Sequence, residues 1–221
     1  MKRTILTGVC MLVAGVLAVP AALAVTVTDG DLNPPPWRGE WSTTSQVWEF
    51  MDPNPGPLPP DGPAAGGQPP LDSTHLIVTP APGADWLDID EGRLGVWPLS
   101  GEIFVHVENH EPPNDVKMVW TQLTWRPQDP TDPLGVPRLT GFNPDIAGGV
   151  LPIDVITSAD GWIHSTLYFE IRPNPEWEDF IITGNINVDA LVIDTWCVPE
   201  PASLLLLALG GLALIRRRRR V

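Results

Sequence analysis

Apolar and polar side chains alternate over long stretches of this chain, and a period of two is compatible with little besides half-buried β-strands. Residues 102–108 place Ile103, Val105 and Val107 on one face. In 161–171 the odd positions are Ile163, Ser165, Leu167, Phe169 and Ile171, and the even positions are His164, Thr166, Tyr168 and Glu170. Residues 180–194 put Phe180, Ile182, Ile186, Val188, Ala190 and Val192 on one shared even face. Shorter strand candidates are 44–50, 75–79, 85–90, 116–125 and 151–157, separated by Gly, Pro, Asn and Asp clusters at 111–115, 126–137 and 172–176. No window between the two ends sustains a 3.6-residue period. The expected fold is all-β: an antiparallel β-sandwich, jelly-roll-like, flanked by an N-terminal signal helix and a C-terminal hydrophobic helix.

One internal stretch interrupts this pattern. From Pro53 to Pro70, 12 of 18 residues are Pro or Gly, a composition that forms neither ladder nor helix and reads as an extended, mobile loop. It follows a Trp-rich segment, Pro34 to Phe50, too short to hold a core of its own, so both are expected within a single domain spanning 25–197.

The two ends read as processing segments. Lys2 and Arg3 precede an apolar run from Ile5 to about Val19, Pro20 breaks it, and Ala22 and Ala24 supply the small residues that signal peptidase needs at −3 and −1. Residues 1–24 are therefore expected to be a signal peptide. Lipid attachment at Cys10 is disfavoured, because Val9 is not the small residue that reaction requires. At the other end, Pro199, Glu200 and Pro201 form a stiff, non-helical entry to an apolar run ending at Ile215. Ala202 to Ile215 spans about 21 Å as a helix, against the roughly 30 Å of a bilayer core. Arg216, Arg217, Arg218, Arg219 and Arg220 follow, and such a cluster stays cytoplasmic, which places the body outside. The N-terminal signal predicts the same orientation.

Charge narrows the partners. Between residues 25 and 199 six basic residues (Arg38, Arg93, Lys117, Arg126, Arg138 and Arg172) face 26 acidic ones. A body charge near −20 repels phosphate backbones, so a nucleic-acid partner is not expected. With Cys10 lost in the signal peptide, Cys197 stands alone and no internal disulfide can form.

The Pro-Glu-Pro triplet, the short Leu/Ala/Gly-rich run and the terminal arginines (198–221) resemble the PEP-CTERM sorting signal. The resemblance implies recognition of Pro199, Glu200 and Pro201 by an exosortase, a membrane-embedded enzyme with a cysteine nucleophile. It further implies transient inner-membrane anchoring through the apolar helix and a setting in exopolysaccharide-producing bacteria. Pro35-Pro36-Trp37-Arg38-Gly39, Trp48-Glu49-Phe50, Gly161 to Ser165 and Val192 to Cys197 resemble uncharacterised planctomycete-type PEP-CTERM proteins, which implies no activity. The expected function is thus a non-enzymatic protein of the cell surface or exopolysaccharide matrix.

Two other functions compete with that reading. Ten tryptophans, against five Phe and one Tyr, fill cores but also stack on sugar rings. Trp37, Trp41 and Trp48 are the candidates for polysaccharide contact in a carbohydrate-binding module. Paired carboxylates would serve an extracellular hydrolase, although with 26 acidic residues some pair is inevitable. No Gly-x-Ser-x-Gly elbow, P-loop or dinucleotide fingerprint is present. Asp85, Asp88 and Asp90, with Glu91 before Gly92, share the composition of a calcium loop but not the EF-hand spacing. No other cofactor is suggested. His106 and His110 would share a metal only on a helix, and they lie on a strand running into a turn. Glu176, Glu178 and Asp179 read as a charged turn.

Overall fold

The computed structural model describes residues 30–80, 82–109 and 115–198. Those residues contain eleven strands and no helix: β1 (Thr43–Trp48), β2 (His75–Thr79), β3 (Leu87–Asp90), β4 (Arg93–Leu99), β5 (Glu102–Glu108), β6 (Val116–Pro127), β7 (Arg138–Asn143), β8 (Ile146–Thr157), β9 (Ile163–Ile171), β10 (Trp177–Thr183) and β11 (Ile186–Val198). The helices expected at the two ends lie outside the described residues.

Every pairing is antiparallel, and the strands form two sheets. The larger runs β3-β4-β11-β6-β9-β8, and the smaller runs β2-β5-β10-β7. β11 is the axis of the larger sheet. Its whole length pairs with β6, and its other edge is shared end to end by β4 at Ile186–Val188 and β1 at Leu191–Trp196. The chain folds back as nested pairs: β4 with β11, β5 with β10, β6 with β9, and β7 leading directly into β8.

The alternating residues make the core between the sheets. Ile103, Val105 and Val107 from β5 and Phe180 and Ile182 from β10 meet Val119 and Leu123 from β6 and Phe169 and Ile171 from β9. Phe142, Phe169 and Phe180 cluster with ring centroids 5.0–6.2 Å apart.

Residues 180–194 do not form one strand. The chain turns at Gly184-Asn185, and β10 and β11 belong to different sheets. A Cβ at Gly184 would lie 2.8 Å from the Val136 carbonyl oxygen, so only glycine fits that crossing. Ile182 and Ile186 keep even parity because each faces the same core from an opposite sheet. The parity then breaks at an irregularity between Val188 and Ala190. Beyond it Leu191 and Ile193 face the core, while Val192 joins Val47 and Ala64 in a small outer cluster. Two strands, β4 and β7, carry no clean alternation: Gly95 and Pro98 interrupt the first and Gly141 the second. Pro98 lies past the residues that β3 pairs, where the ladder is already shorter.

The Pro/Gly-rich stretch holds no strand, yet it is strapped along exposed strand edges. Leu58 exchanges two backbone hydrogen bonds with Leu76, Val78 N–H donates to Pro55, and Val47 bonds Gly62 and Asp61. The strap thereby covers edges of β1 and β2 that would otherwise present unpaired backbone groups.

Candidate functional site

The C-terminal sorting signal begins where the most embedded strand ends. Val198, the last residue of β11, still pairs with Val116. Cys197 N–H donates to the Ser42 carbonyl at 3.1 Å, and the Ser42 hydroxyl donates to the Cys197 carbonyl at 2.7 Å. Pro199 has no amide hydrogen and cannot extend the ladder. Pro199, Glu200, Pro201, Arg216 to Arg220, Ala22 and Ala24 all lie outside the described residues.

The three tryptophans singled out for glycan contact have different fates. Trp48 is fully buried in the core, with Nε1 donating to the Leu58 carbonyl. Trp37 is buried against Trp196 at 5.8 Å, so its ring is a packing surface. Its neighbour Arg38 fixes it there: the guanidinium bonds Asp31 at 2.5 and 2.8 Å and Asp194 of β11 at 2.6 and 2.8 Å. Trp41 alone of the three is open, at 69% exposure.

The outer face of the smaller sheet carries a second aromatic group. Cross-strand register stacks His75, His106 and Asp179 in one row and Ile77, Phe104 and Ile181 in the next. His75 and His106 have ring centroids 5.0 Å apart, and Trp177, 39% exposed, lies 5.6 Å from His106. Asp179 holds His106 Nδ1 at 2.7 Å. Aromatic faces beside a fixed polar pair can stack a ring and hydrogen-bond its hydroxyls. Sequence reasoning passed over this group. Its signal was Phe104, an aromatic on the polar face of the 102–108 alternation.

The acidic residues are mostly committed elsewhere. Asp90 binds Arg126 and Asn187, while Asp85 and Asp88 lie exposed without joining it. Among the described residues no group of three or more His, Cys, Asp or Glu could hold a metal ion. Glu178 is not part of a charged turn. It lies on β10, buried, with Lys117 Nζ at 2.6 Å. Gly161-Trp162 serves packing, since the Trp162 ring is fully buried with the Arg93 and Arg126 guanidinium groups 5.7 and 5.5 Å from its centre. A cavity of about 280 Å³ is lined by Glu49, Arg93 and Asp189 among others, with Arg93 holding Asp189 at 3.1 Å.

The described body is all-β and two-sheeted, and its last strand ends at Val198. Residues 198–220 match the PEP-CTERM protein-sorting motif. The chain is thus a PEP-CTERM sorting-domain-containing protein, and the motif implies an exported protein sorted by an exosortase to the cell envelope or surface. No curated protein and no solved structure matches the chain.

Proposed function

We propose that the protein is a non-enzymatic component of the cell surface or exopolysaccharide matrix. In this reading it is exported by a signal peptide (residues 1–24), held briefly in the inner membrane by residues 202–220, and released when exosortase acts near Pro199-Glu200-Pro201. The observation that carries it is the match at 198–220, which begins on the last residue of β11. The body of 25–197 is read as a jelly-roll, supported by the nested pairing of β4 with β11, β5 with β10 and β6 with β9, the order of one long hairpin rolled up. Fractionation with C-terminal peptide mapping tests the sorting. The envelope or secreted form is expected to lack Arg216 to Arg220, and a mature form that keeps them would refute it.

A second reading, glycan binding, is favoured by the exposed Trp177 beside the half-buried Phe104, His75 and His106 on the smaller sheet. A glycan array probed with the mature protein tests it. Binding is expected to fall at least tenfold in Trp177→Ala and to survive Trp41→Ala, which lies off that face. Binding to no neutral or acidic glycan would end this reading.

A further inference from the structure

The facing surfaces of the two sheets are apolar almost everywhere, and at one end they are not. Lys117 on β6 stands between Cys197 of β11 and Ile171 of β9, two buried neighbours, and its side chain is fully buried. Glu178 comes from β10 of the opposing sheet, opposite the core residue Val107, and is 1% exposed. Lys117 Nζ and Glu178 Oε2 are 2.6 Å apart. Asn109, the first residue after β5, lies with its carboxamide against the Glu178 carboxyl. Asn109 Nδ2 donates to the Pro175 carbonyl at 2.5 Å and reaches Oδ1 of the buried Asn174, a second nearby amide, at 3.5 Å, while its own Oδ1 has no hydrogen-bond partner among the described residues.

This cluster is costly as an ion pair. Neither Lys117 Nζ nor either oxygen of Glu178 makes a well-aligned hydrogen bond to a described residue, despite the short separation. Two ions so placed lose their hydration without the added hydrogen bonds that would offset it, and apolar side chains of the same volume would serve stability at least as well. A buried amine and a primary amide set against one shared carboxyl are, however, the complete set of groups for an amide exchange.

We propose that Lys117 and Asn109 become joined by an intramolecular isopeptide bond, with Glu178 carrying the protons. Proton transfer from the ammonium to the carboxylate cancels both buried charges and leaves a neutral amine beside a carboxylic acid. Burial pushes the Glu178 carboxyl up, toward that acid form. The Nζ lone pair adds to Asn109 Cγ while the acid protonates Oδ1, the unpartnered atom on which charge develops. Glu178 then takes a proton from Nζ and delivers it to Nδ2, the Cγ–Nδ2 bond breaks as the C=O re-forms, ammonia leaves, and Oδ1 returns its proton to Glu178. One amine and one primary amide become one secondary amide and one ammonia. The carboxyl is regenerated and nothing is oxidised. The product links the end of β5 in one sheet to the start of β6 in the other. It does not depend on how the protein is sorted or what it binds.

Peptide mapping of the full-length, folded protein tests this. A protease that cuts before aspartate separates Asn109 from Lys117 at Asp115. The two fragments are expected to stay joined under denaturing, reducing conditions, with a mass one ammonia below their sum, and tandem fragmentation should place the link on Asn109. In Glu178→Gln, checked for a native circular dichroism spectrum, the fragments should separate. An unmodified Lys117 fragment from the wild-type protein, or a link to Asn174 instead, overturns the proposal. A link that forms equally in Glu178→Gln overturns the role of the carboxyl. The wild-type map decides the bond even where the variant does not fold.

Discussion

The sole tyrosine of the chain sits in a spot that can be read spectroscopically. On the outer face of β9 the Tyr168 hydroxyl donates to Glu170 Oε1 at 2.6 Å, and Arg172 holds the other oxygen of the same carboxylate at 2.7 Å. Burial and the adjacent carboxylate both push the phenol well above its ordinary value, because ionising it would place two anions side by side in a partly dry site. The folded state therefore keeps this proton longer than the unfolded chain does. Stability from this group is full below the unfolded value of about 10 and is lost as pH rises from there toward the raised folded value. An ultraviolet absorbance titration, followed while the circular dichroism stays native, should show no phenolate through the ordinary tyrosine range. Glu170→Gln should bring the transition down, since it removes the anion but leaves a hydrogen-bond acceptor. An ordinary midpoint in the wild-type protein would contradict the contact.

Among the elements, the N-terminal segment shows how remote the causes of a local structure can be. Residues 30–41 have no strand of their own and are held on the outer face of the larger sheet by Arg38, which reaches Asp194 across 156 positions of sequence. Burial pushes Asp194 up, and Arg38 opposes that by favouring the carboxylate. Arg38→Met leaves Asp194 buried without a cation, so the expected loss is about 3–5 kcal/mol at neutral pH, measured by urea unfolding. The deficit should shrink in mild acid, as Asp194 in the variant takes up a proton at a pH above the ordinary carboxylate value of about 3.9. A deficit that is small and independent of pH would mean the triad does not hold the N-terminal segment. The same contact explains which tryptophans were legible. Trp37 and Trp41 are indistinguishable by composition, and what buries one and exposes the other is where Arg38 lands. Strands whose alternation is bounded by turn residues, such as β2 and β5, were readable from the chain, because burial on one face is a local property of spacing. The split of 180–194 was not readable, since both sheets face one core and the parity runs unbroken through the turn at Gly184. Neither was the buried state of Glu178, whose neighbours Glu176 and Asp179 make it look like part of a solvated acidic run.

For the whole molecule, the scarcity of cations proves to be an economy. Arg38, Arg93, Lys117, Arg126 and Arg172, five of the six basic residues of the body, all hold carboxylates. Positive charge is spent on internal ties, and the unmatched acids lie outside, which suits a soluble exported body. β11, which receives two of those ties at Asp189 and Asp194 and pairs with β1, β4 and β6, has one further consequence. Tension applied at residue 198 enters along the axis of β11, which is flanked by its antiparallel partners β6 and β1. The inter-strand hydrogen bonds are then loaded together and sideways rather than opened one after another from an end. Under the proposed sorting, a pull on this terminus by flow or growth would meet the resistance of a bolt to shearing, not that of a zip to its slider.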